Sequence, residues 1–362
     1  MPRSWIAVDA MGGDYCPQNP IEGAILALHE LDGQDFGIFL VGDNQTLQPL
    51  LNQHRFDASR LKIVHASQVV GMKENPAVVL RGKGGSSIHV GLRTLSEGRA
   101  HAFVSAGNTG AVTVIASSIL GRIKLVKYPA IAATFPALNG PKVVLDVGAM
   151  VDCQPIHLAQ FGLMGAMYAK YVVGISRPCI GLMSNGEEDN KGNVVVAGSK
   201  RLKIVGANEL LRRLRDNGVS FHGNVQGNNV FDGPANVIVC DGVIGNVCLK
   251  TTEGAFMALQ GQLRMIVKNG RPDQILFALI GRWLLSPTIT ALKRAFDYEK
   301  YGGLPLLGVN GEVIIAHGKS TPTAIMNAIG NALKAIEHRL DHQIKECLQQ
   351  HADTLNAPYP EG

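Results

Sequence analysis

The sequence predicts an α/β fold, an open and mainly parallel β-sheet with helices on both faces. Three observations predict it: short continuous apolar runs recur, helix-length segments alternate with them, and six of the runs end in a glycine-rich polar loop. Strands buried on both faces, as a parallel sheet requires, are continuously apolar. Alternation of strand and helix is typical of helices that cover both faces of such a sheet. The six runs are 5–8, 102–104, 143–145, 180–183, 237–240 and 313–316.

Each strand in this assignment is a short apolar run bounded by polar residues or glycine, and each helix is a longer segment between two such runs. The first half of the chain predicts strands at 5–8, 37–41, 61–65, 102–104, 130–134 and 142–146, helices at 19–31, 44–53, 86–97, 109–120 and 155–171, and an irregular segment at 67–85. The second half predicts strands at 180–183, 219–222, 236–240 and 312–316, helices at 196–216 and 321–347, and a long helical stretch from 246 to about 297.

No repeat and no flexible linker divides the chain, so we expect one domain over residues 1–348. Residues 349–362 are poor in apolar side chains and contain two prolines, which predicts a disordered tail. In an open parallel sheet the ligand lies beyond the carboxyl ends of the strands. We therefore expect the six polar loops to converge on one site.

Composition excludes several classes of function. The 362 residues carry a net charge of +5 without a basic run that has interleaved aromatic residues, so a nucleic-acid partner is not expected. The six cysteines form neither a Cys-x-x-Cys pair nor a metal-binding spacing, which fits a reducing cytosol. The N-terminus has no cleavable signal, and no stretch reaches the roughly 18 apolar residues that span a bilayer. These features together predict a cytoplasmic protein.

Residues 275–285 form an apolar run that Ser286 and Pro287 end. A helix that is apolar nearly all round is buried, lies in an interface, or contacts lipid. This run is too short to span a bilayer, but a hairpin over about 255–297 could dip into one leaflet, with Trp283 at the depth of the headgroups. The residues alone leave core, subunit interface and membrane open.

Two strand ends resemble anion sites. Asn108, Thr109 and Gly110 stand where a strand turns into a helix, and the free N–H groups and dipole of a helix N-terminus attract anions. Asn108 or Thr109 could equally be an ordinary N-cap. The same pattern recurs from Asp241 through Gly245 to Asn246, with Lys250 one turn into the helix.

Two further loops carry candidate groups. Lys191 lies between Asn190 and Gly192 and could supply a cation for phosphate. The same residues would also fit an ordinary charged loop exposed to solvent. The preceding carboxylates of residues 187–189 lack further ligands at metal-binding spacing, so no metal site is predicted. His317 ends a strand beside a helix start, where it could act as a general acid.

Common catalytic motifs fail on inspection. A Walker A loop that ends at residues 318–320 would need glycine at Val313. Residues 82–87 break the dinucleotide-binding glycine pattern at its last position and follow no strand. Ser184 has Leu182 where a nucleophile elbow needs glycine. The sequence therefore argues against a P-loop ATPase, a standard dinucleotide binder and a serine hydrolase, and no cofactor is predicted.

Taken together and in order, the loops resemble the phosphate acyltransferases of bacterial phospholipid synthesis, the PlsX family. Any one motif is weak, whereas the ordered set is specific and extends over about residues 5–335. The matching segments are 9–14 with Pro17, 105–111, 186–193, 240–246 with 249–254, 301–303, and His317-Gly318.

The resemblance implies a homodimer with a fold like that of isocitrate and isopropylmalate dehydrogenases. It also implies transfer of a fatty acyl group from acyl carrier protein to inorganic phosphate, without a cofactor, and a product that a membrane glycerol-3-phosphate acyltransferase then uses. It favours peripheral contact of the apolar hairpin with the inner face of the cell membrane. The membrane-contacting residues would be Phe277, Ile280, Trp283, Leu284 and Leu285.

The chemistry of acyl transfer to phosphate, read together with these loops, predicts the site residues. Catalytic roles fall to Lys191, Asn108, Asn246 and His317, the last as a proton donor to sulfur. The residues expected to bind phosphate or substrate are Asp9, Gly12, Gly13, Gly107, Thr109, Gly110, Asn190, Gly192, Asp241, Gly245 and Lys250. The chain departs from the family at Gln226 and Asn229, where similar sequences often carry acidic residues, and at Lys319, which adds a positive charge beside the site.

Two alternatives stay open on the sequence. A decarboxylating dehydrogenase on the same fold would need a metal-binding aspartate cluster and a nicotinamide site, which the sequence does not provide. A non-catalytic protein that binds anions or lipids would bind phosphate without turnover.

Overall fold

The computed structural model describes residues 4–31, 33–188, 203–216, 219–269 and 302–356. Within these residues the strands form one eleven-stranded sheet. The strands are β1 Ser4–Asp9, β2 Phe36–Gly42, β3 Leu61–His65, β4 Ala102–Ser105, β5 Ala130–Phe135, β6 Lys142–Leu145, β7 Ile180–Met183, β8 Phe221–Val225, β9 Val237–Val239, β10 Leu304–Leu307 and β11 Glu312–Ile315.

Helices connect most of these strands, and several begin at a side chain that caps the first turn. Asp43, Asn75, Ser86, Asn108 and Thr321 each accept a hydrogen bond from a backbone N–H of the helix that follows. The helices are α1 Gln18–Glu30, α2 Asn44–Leu51, α3 Pro76–Gly82, α4 Ser87–Ser96, α5 Thr109–Ile119, α6 Pro155–Tyr168, α7 Lys203–Asp216, α8 Asn229–Asp232, α9 Gly242–Asn269, α10 Pro322–His338, α11 Leu340–Gln350 and α12 Ala352–Asn356, with a π-helical turn at Ala169–Val173.

The sheet consists of two parallel halves that run in opposite directions. Its order is β3-β2-β1-β4-β11-β10-β5-β6-β9-β7-β8. The first five strands are parallel to one another, as are the last four. Between them, β10 pairs antiparallel with β11 and β5, and β5 pairs antiparallel with β6. The carboxyl ends of the strands in the two halves therefore point in opposite directions, so the sheet is not the uniformly parallel one from which we expected the six loops to converge on one site.

The predicted α/β class, with a mainly parallel sheet and helices on both faces, is confirmed. Helices α1 and α10 cover one face of the first half, where Ile21 and Ile325 join a buried cluster with β1, β2 and β4. In the second half of the sheet, helices α6 and α7 cover the corresponding face, and Phe161 and Leu211 belong to the buried cluster there. A third cluster lies on a face that both halves share and includes Leu92 of α4, residues of α5, and strands β5 and β11.

Several element boundaries differ from the prediction. The segment 67–85 contains α3, and β10 was not predicted. The predicted helix 321–347 is two helices, because Arg339 adopts a left-handed conformation with φ 50° between α10 and α11. The predicted disordered tail is helical as far as Asn356, and Leu355 is buried; residues 357–362 lie outside the described residues.

The long helical stretch begins as the single helix α9, whose first residue is Gly242 rather than 246. The remainder of the predicted hairpin, from residue 270 to 297, lies outside the described residues. Among the helices that the structure describes, none combines the length and the apolar character needed to cross a membrane.

Candidate active site

A cleft of about 380 Å³ lies over the centre of the sheet, on the face that the two halves share. Its floor is apolar and comes from the antiparallel strands and their neighbours, with Ile131, Ala133, Leu304 and Ile315. Its rim combines loops that follow strands of both halves of the sheet. Two halves that run in opposite directions thus contribute to one site. The rim residues are Gly107 and Thr109 after β4, Val147 and Gly148 after β6, Asn246, Leu249, Lys250 and Glu253 of α9, and Ala316, His317, Gly318 and Ser320 after β11.

The loops that follow β1, β4 and β11 are tied together behind this rim. The Asp14 N–H donates to the Gly318 carbonyl at 2.7 Å, and the Ala316 N–H donates to the Ser105 carbonyl at 2.8 Å. Gly13 has φ +102°, a conformation that favours glycine. A Cβ at Gly12 would overlap the Asp9 carboxylate. Gly12 and Gly13 thus allow the loops to approach one another, and their predicted contact with phosphate stays a prediction.

Asp9 is a buried carboxylate. The side chain is 1% exposed and lies behind the cleft wall. Its Oδ1 accepts from the Met11 N–H at 3.0 Å, and its Oδ2 accepts from the Ser105 hydroxyl at 2.7 Å. Asp9 is not among the residues that line the cleft, and its predicted role as a direct phosphate ligand stays a prediction.

Asn108 uses its whole side-chain amide within the protein. Its Oδ1 accepts from the Ala111 N–H at 3.0 Å, which caps α5. Its Nδ2 donates to the Met72 and Glu74 carbonyls, both at 3.0 Å. The N–H groups of Thr109 and Gly110 belong to the first turn and have no acceptor within the helix. At this helix start it is therefore backbone N–H groups, and not the Asn108 side chain, that are available to an anion, with Thr109 on the cleft, and the anion site stays a prediction.

The start of α9 is arranged differently. The Asp241 carboxylate accepts from the N–H groups of Val243 at 3.0 Å and Ile244 at 2.9 Å. This carboxylate takes N–H groups that a phosphate at this helix start would use, and the anion site predicted there stays a prediction. A Cβ at Gly245 would overlap the Asp146 carbonyl oxygen, and the helix therefore packs directly on the loop after β6.

One face of α9 points into the cleft. Asn246, Leu249, Lys250 and Glu253 line it at the spacing of neighbours on a helix surface. Lys250 Nζ contacts Glu253 Oε2 at 2.8 Å. This face of α9 thus brings the Asn246 amide, the apolar Leu249 and the Lys250 cation to the cleft, with Lys250 paired to Glu253. The predicted catalytic role of Asn246 and substrate-binding role of Lys250 stay predictions.

His317 lies across the cleft from this helix. Its Nδ1 accepts from the Lys319 N–H at 3.1 Å, which places the proton of the neutral ring on Nε2. Desolvation by burial lowers the pKa of His317, and the charges of Lys250 and Lys319 lower it further, while Glu253 and Asp14 oppose them. The imidazole is therefore neutral at pH 7 and offers an Nε2–H donor.

The segment before α4 was assigned no function from the sequence, yet it forms part of the cleft wall. Met72 lines the cleft, and Pro76 packs against Gly110. An ion pair of 2.5 Å between Lys83 and Glu74 closes the segment. The Asn75-Pro76 pair carried a usable signal, because asparagine at the N-cap and proline in the first turn together indicate a helix start.

Asp146 begins the loop that follows the apolar run 143–145, but the sequence assigned it no role. Its carboxylate accepts from the N–H groups of Ile131, Gly148, Ala149 and Met150 at 2.6–3.1 Å. Burial raises the pKa of Asp146, and these four hydrogen bonds oppose that shift. The carboxylate fixes the loop after β6 against the cleft floor.

Three predicted site residues, Asn190, Lys191 and Gly192, lie outside the described residues. So do the predicted membrane contacts Phe277, Ile280, Trp283, Leu284 and Leu285. Over the part of the chain that the structure describes, no group of three or more His, Cys, Asp or Glu side chains is placed to hold a metal ion.

Comparison with known proteins gives a consistent result. A sequence profile of the family described as "Fatty acid synthesis protein" matches residues 5–342. The chain is 42% identical over 361 residues to the phosphate acyltransferase of Myxococcus xanthus, covering 99% of this chain and 97% of that protein. It is 44% identical over 345 residues to the phosphate acyltransferase of Pelotomaculum thermopropionicum, covering 95% of each.

Solved structures show a related fold. A phosphotransacetylase from Streptococcus pyogenes matches with a TM-score of 0.61 at 17% identity, over 92% of this chain and 94% of that one. The EutD phosphotransacetylase from Staphylococcus aureus matches with a TM-score of 0.57 at 15% identity, over 93% and 94% of the two chains. At these identities the likeness shows the fold.

Proposed function

The chain belongs to the fatty acid synthesis protein family, in which its relatives are phosphate acyltransferases, and from that premise we propose that acyl carrier protein is the donor of the fatty acyl group it transfers to inorganic phosphate. The product is an acyl phosphate. One observation carries the assignment of the site: a cleft in which the first turn of α5, Lys250 and His317 surround an apolar floor. N–H groups and a cation suit phosphate, and an apolar floor suits a fatty acyl chain.

The chemistry needs neither a metal nor an enzyme nucleophile. A phosphate oxygen attacks the thioester carbonyl, a carbon–oxygen bond forms, and the carbon–sulfur bond breaks. The proton of hydrogen phosphate ends on the departing thiolate, so the reaction balances as acyl phosphate and thiol. The task of the protein is to remove water from phosphate, to orient it and to stabilise the oxyanion.

The described residues divide that task. The N–H groups of Thr109 and Gly110 bind phosphate at the start of α5, and Lys250 supplies a positive charge from α9. His317 donates from Nε2 to the oxyanion or to the sulfur. Because its pKa is lowered and its Nδ1 accepts the Lys319 N–H, the neutral ring acts as a hydrogen-bond donor, and the proton that ends on the thiolate comes from hydrogen phosphate. Lys191 and Asn190 belong to the same proposal through the family resemblance.

The remaining expectations from the family are also part of this proposal. They are a homodimer, an isocitrate dehydrogenase-like fold, peripheral membrane contact through the segment after α9, and delivery of the product to a membrane glycerol-3-phosphate acyltransferase. Of these, the dimer and the membrane contact are supported by α9, which exposes Met257, Leu259 and Met265 by more than half of each side chain. Apolar surface of this kind favours a covering partner or lipid.

The decisive experiment incubates the purified protein with palmitoyl-acyl carrier protein and radiolabelled phosphate. We expect labelled palmitoyl phosphate and free carrier thiol in equal amounts. Palmitoyl-coenzyme A serves as a second donor in a parallel reaction. Product from coenzyme A alone would overturn the carrier protein as donor, and absence of product from both donors in a folded, phosphate-binding protein would overturn the function.

A further inference from the structure

Asp9 lies behind the cleft wall without contacting the cleft. Its Oδ2 accepts the Ser105 hydroxyl at 2.7 Å, and the Ser105 oxygen in turn accepts the Gly107 N–H at 3.0 Å. Gly107 is part of the cleft lining, one residue before the cap of α5. Two hydrogen bonds therefore join a buried carboxylate to the loop that leads into the phosphate-binding helix start.

The packing around this carboxylate leaves little room for movement. A Cβ at Gly12 would overlap Asp9 and would lie 2.7 Å from the Gly107 nitrogen, and a Cβ at Gly107 would lie 3.2 Å from Asp9 Oδ2. Real Cβ atoms do not tolerate the first of these contacts. The loops after β1 and β4 thus pack directly around the carboxylate, so a displacement of Asp9 must displace Gly107.

A carboxylate has a property here that an amide lacks. The Ser105 hydroxyl and the Met11 N–H donate to Asp9, and burial raises the pKa of Asp9 while these two groups, with the Ser87 hydroxyl and the Gly12 N–H, oppose that shift. A carboxylate accepts on both oxygens, whereas an asparagine would turn its NH₂ group towards one of the donors. Facing a carboxylate, the Ser105 hydroxyl must donate to it, and its lone pairs stay available for the Gly107 N–H. Asp9 thereby fixes the direction of the second hydrogen bond.

We propose that Asp9 is a positioning residue which, through Ser105 and Gly107, holds the N–H groups of Thr109 and Gly110 at the place where phosphate binds. The inference rests on the proposed function for its phosphate readout. It predicts a defect in phosphate use that is selective, because the proposed function places the fatty acyl donor on the apolar floor of the cleft, away from Asp9.

The test compares Asp9→Asn, Ser105→Ala and the double variant. Each single variant raises the phosphate KM about tenfold, or lowers kcat at saturating phosphate by a similar factor, and leaves the donor KM unchanged. The double variant is no worse than the more affected single variant, because both changes interrupt one chain of hydrogen bonds. Titration calorimetry with inorganic phosphate measures the same loss without turnover.

Glu312→Gln is the matched control. Glu312 is also a buried carboxylate that accepts a backbone N–H, from Asp341 at 3.0 Å, but it begins β11, at the end of that strand away from His317. We expect its phosphate KM to equal that of the wild type. Ser105→Ala, which removes a single oxygen, decides the question should Asp9→Asn fail to fold.

Three results would overturn the inference: a wild-type phosphate KM and affinity in both single variants, additive losses in the double variant, or an equal rise in the donor KM. A failure of the proposed function looks different. In that case the wild type forms no acyl phosphate from either donor, yet the calorimetric loss of phosphate affinity in Asp9→Asn and Ser105→Ala still supports the positioning role.

Discussion

His317 is a hydrogen-bond donor in the cleft, and the charged residues around it determine the pH range over which it keeps that role. Its ring lies near Lys250 and Glu253 of α9, which form an ion pair of 2.8 Å. The cation lowers the pKa of His317 and the carboxylate raises it, with burial as the largest cause of the net decrease. The neutral form, which carries the Nε2–H donor, is therefore populated to lower pH than for an ordinary histidine.

Removal of either partner should move the His317 titration in opposite directions. Lys250→Met raises the pKa of His317, because a like charge is lost and Glu253 is no longer compensated, so the acidic limb of kcat/KM moves to higher pH. Glu253→Gln lowers it and moves the limb to lower pH. Lys250→Arg keeps the charge and serves as the control. Titration of the His317 ring by NMR measures the pKa without turnover, and shifts of the same sign in both variants would contradict this account.

The sequence showed which polar residues stand at strand ends, but it did not show which groups they hydrogen-bond to. Asn108 and Asp241 were both predicted at anion sites, since polar side chains before a helix start suit either a cap or a ligand site. In the structure Asn108 leaves backbone N–H groups on the cleft, whereas the Asp241 carboxylate occupies those of α9. The distinction depends on which atoms face the cleft, and a one-dimensional pattern does not contain it.

At the scale of elements, most strands were predictable because a buried strand needs an uninterrupted apolar run. Strand β10 was missed, since its four residues include Pro305 and follow Gly302 and Gly303, both with positive φ. Such a composition is typical of a turn. Helix α3 was missed for a related reason, because its seven residues are too few for a helical period to stand out.

The first turn of α9 offers a sharp test of element packing. Gly245→Ala places a Cβ against the Asp146 carbonyl and within 3.0 Å of Cys240 Sγ, so the helix must shift. We expect a loss of about 1–3 kcal/mol in the free energy of unfolding, and a lower kcat because Asn246 and Lys250 move with the helix. Urea unfolding and kinetics measure the two effects.

Gly254→Ala on the same helix is the matched control, because a Cβ there meets nothing within 4 Å. Alanine has the higher helix propensity, so this variant should gain up to about 1 kcal/mol. Equal losses in the two variants would show that helix propensity, and not the contact with Asp146, determines the result.

At the scale of the whole molecule, strand direction was the feature that the sequence could not supply. An apolar run is the same whether its strand is parallel or antiparallel to its neighbour, and three antiparallel pairings at the centre reverse half of the sheet. The cleft lies over this reversal and is lined by loops from both halves. Such a site combines loops that are distant along the chain. The sequence therefore indicated several of the rim residues, but not how they are arranged in space.

The buried carboxylate of Glu312 should give the stability of the whole protein a characteristic pH dependence. Burial, together with the nearby Asp341, raises the pKa of Glu312 from 4.5 to about 8. As pH rises above 4.5, the unfolded chain releases this proton while the folded protein keeps it, so the folded state loses relative stability until about pH 8. Each unit of difference corresponds to about 1.4 kcal/mol, which makes the effect on the order of a few kcal/mol.

Glu312→Gln removes the titrating group and keeps an oxygen that can accept the Asp341 N–H. The variant should therefore gain free energy of unfolding relative to the wild type as pH rises, with a small difference near pH 5 and a larger one near pH 8. Asp43→Asn provides a contrast, because hydrogen bonds in the cap of α2 lower the pKa of Asp43 and its stabilisation is lost only as the pH falls. Urea unfolding at several pH values measures both variants. A constant difference between Glu312→Gln and the wild type across this range would mean that Glu312 is ionised in the folded protein, with its charge balanced by hydrogen bonds from the start of α11.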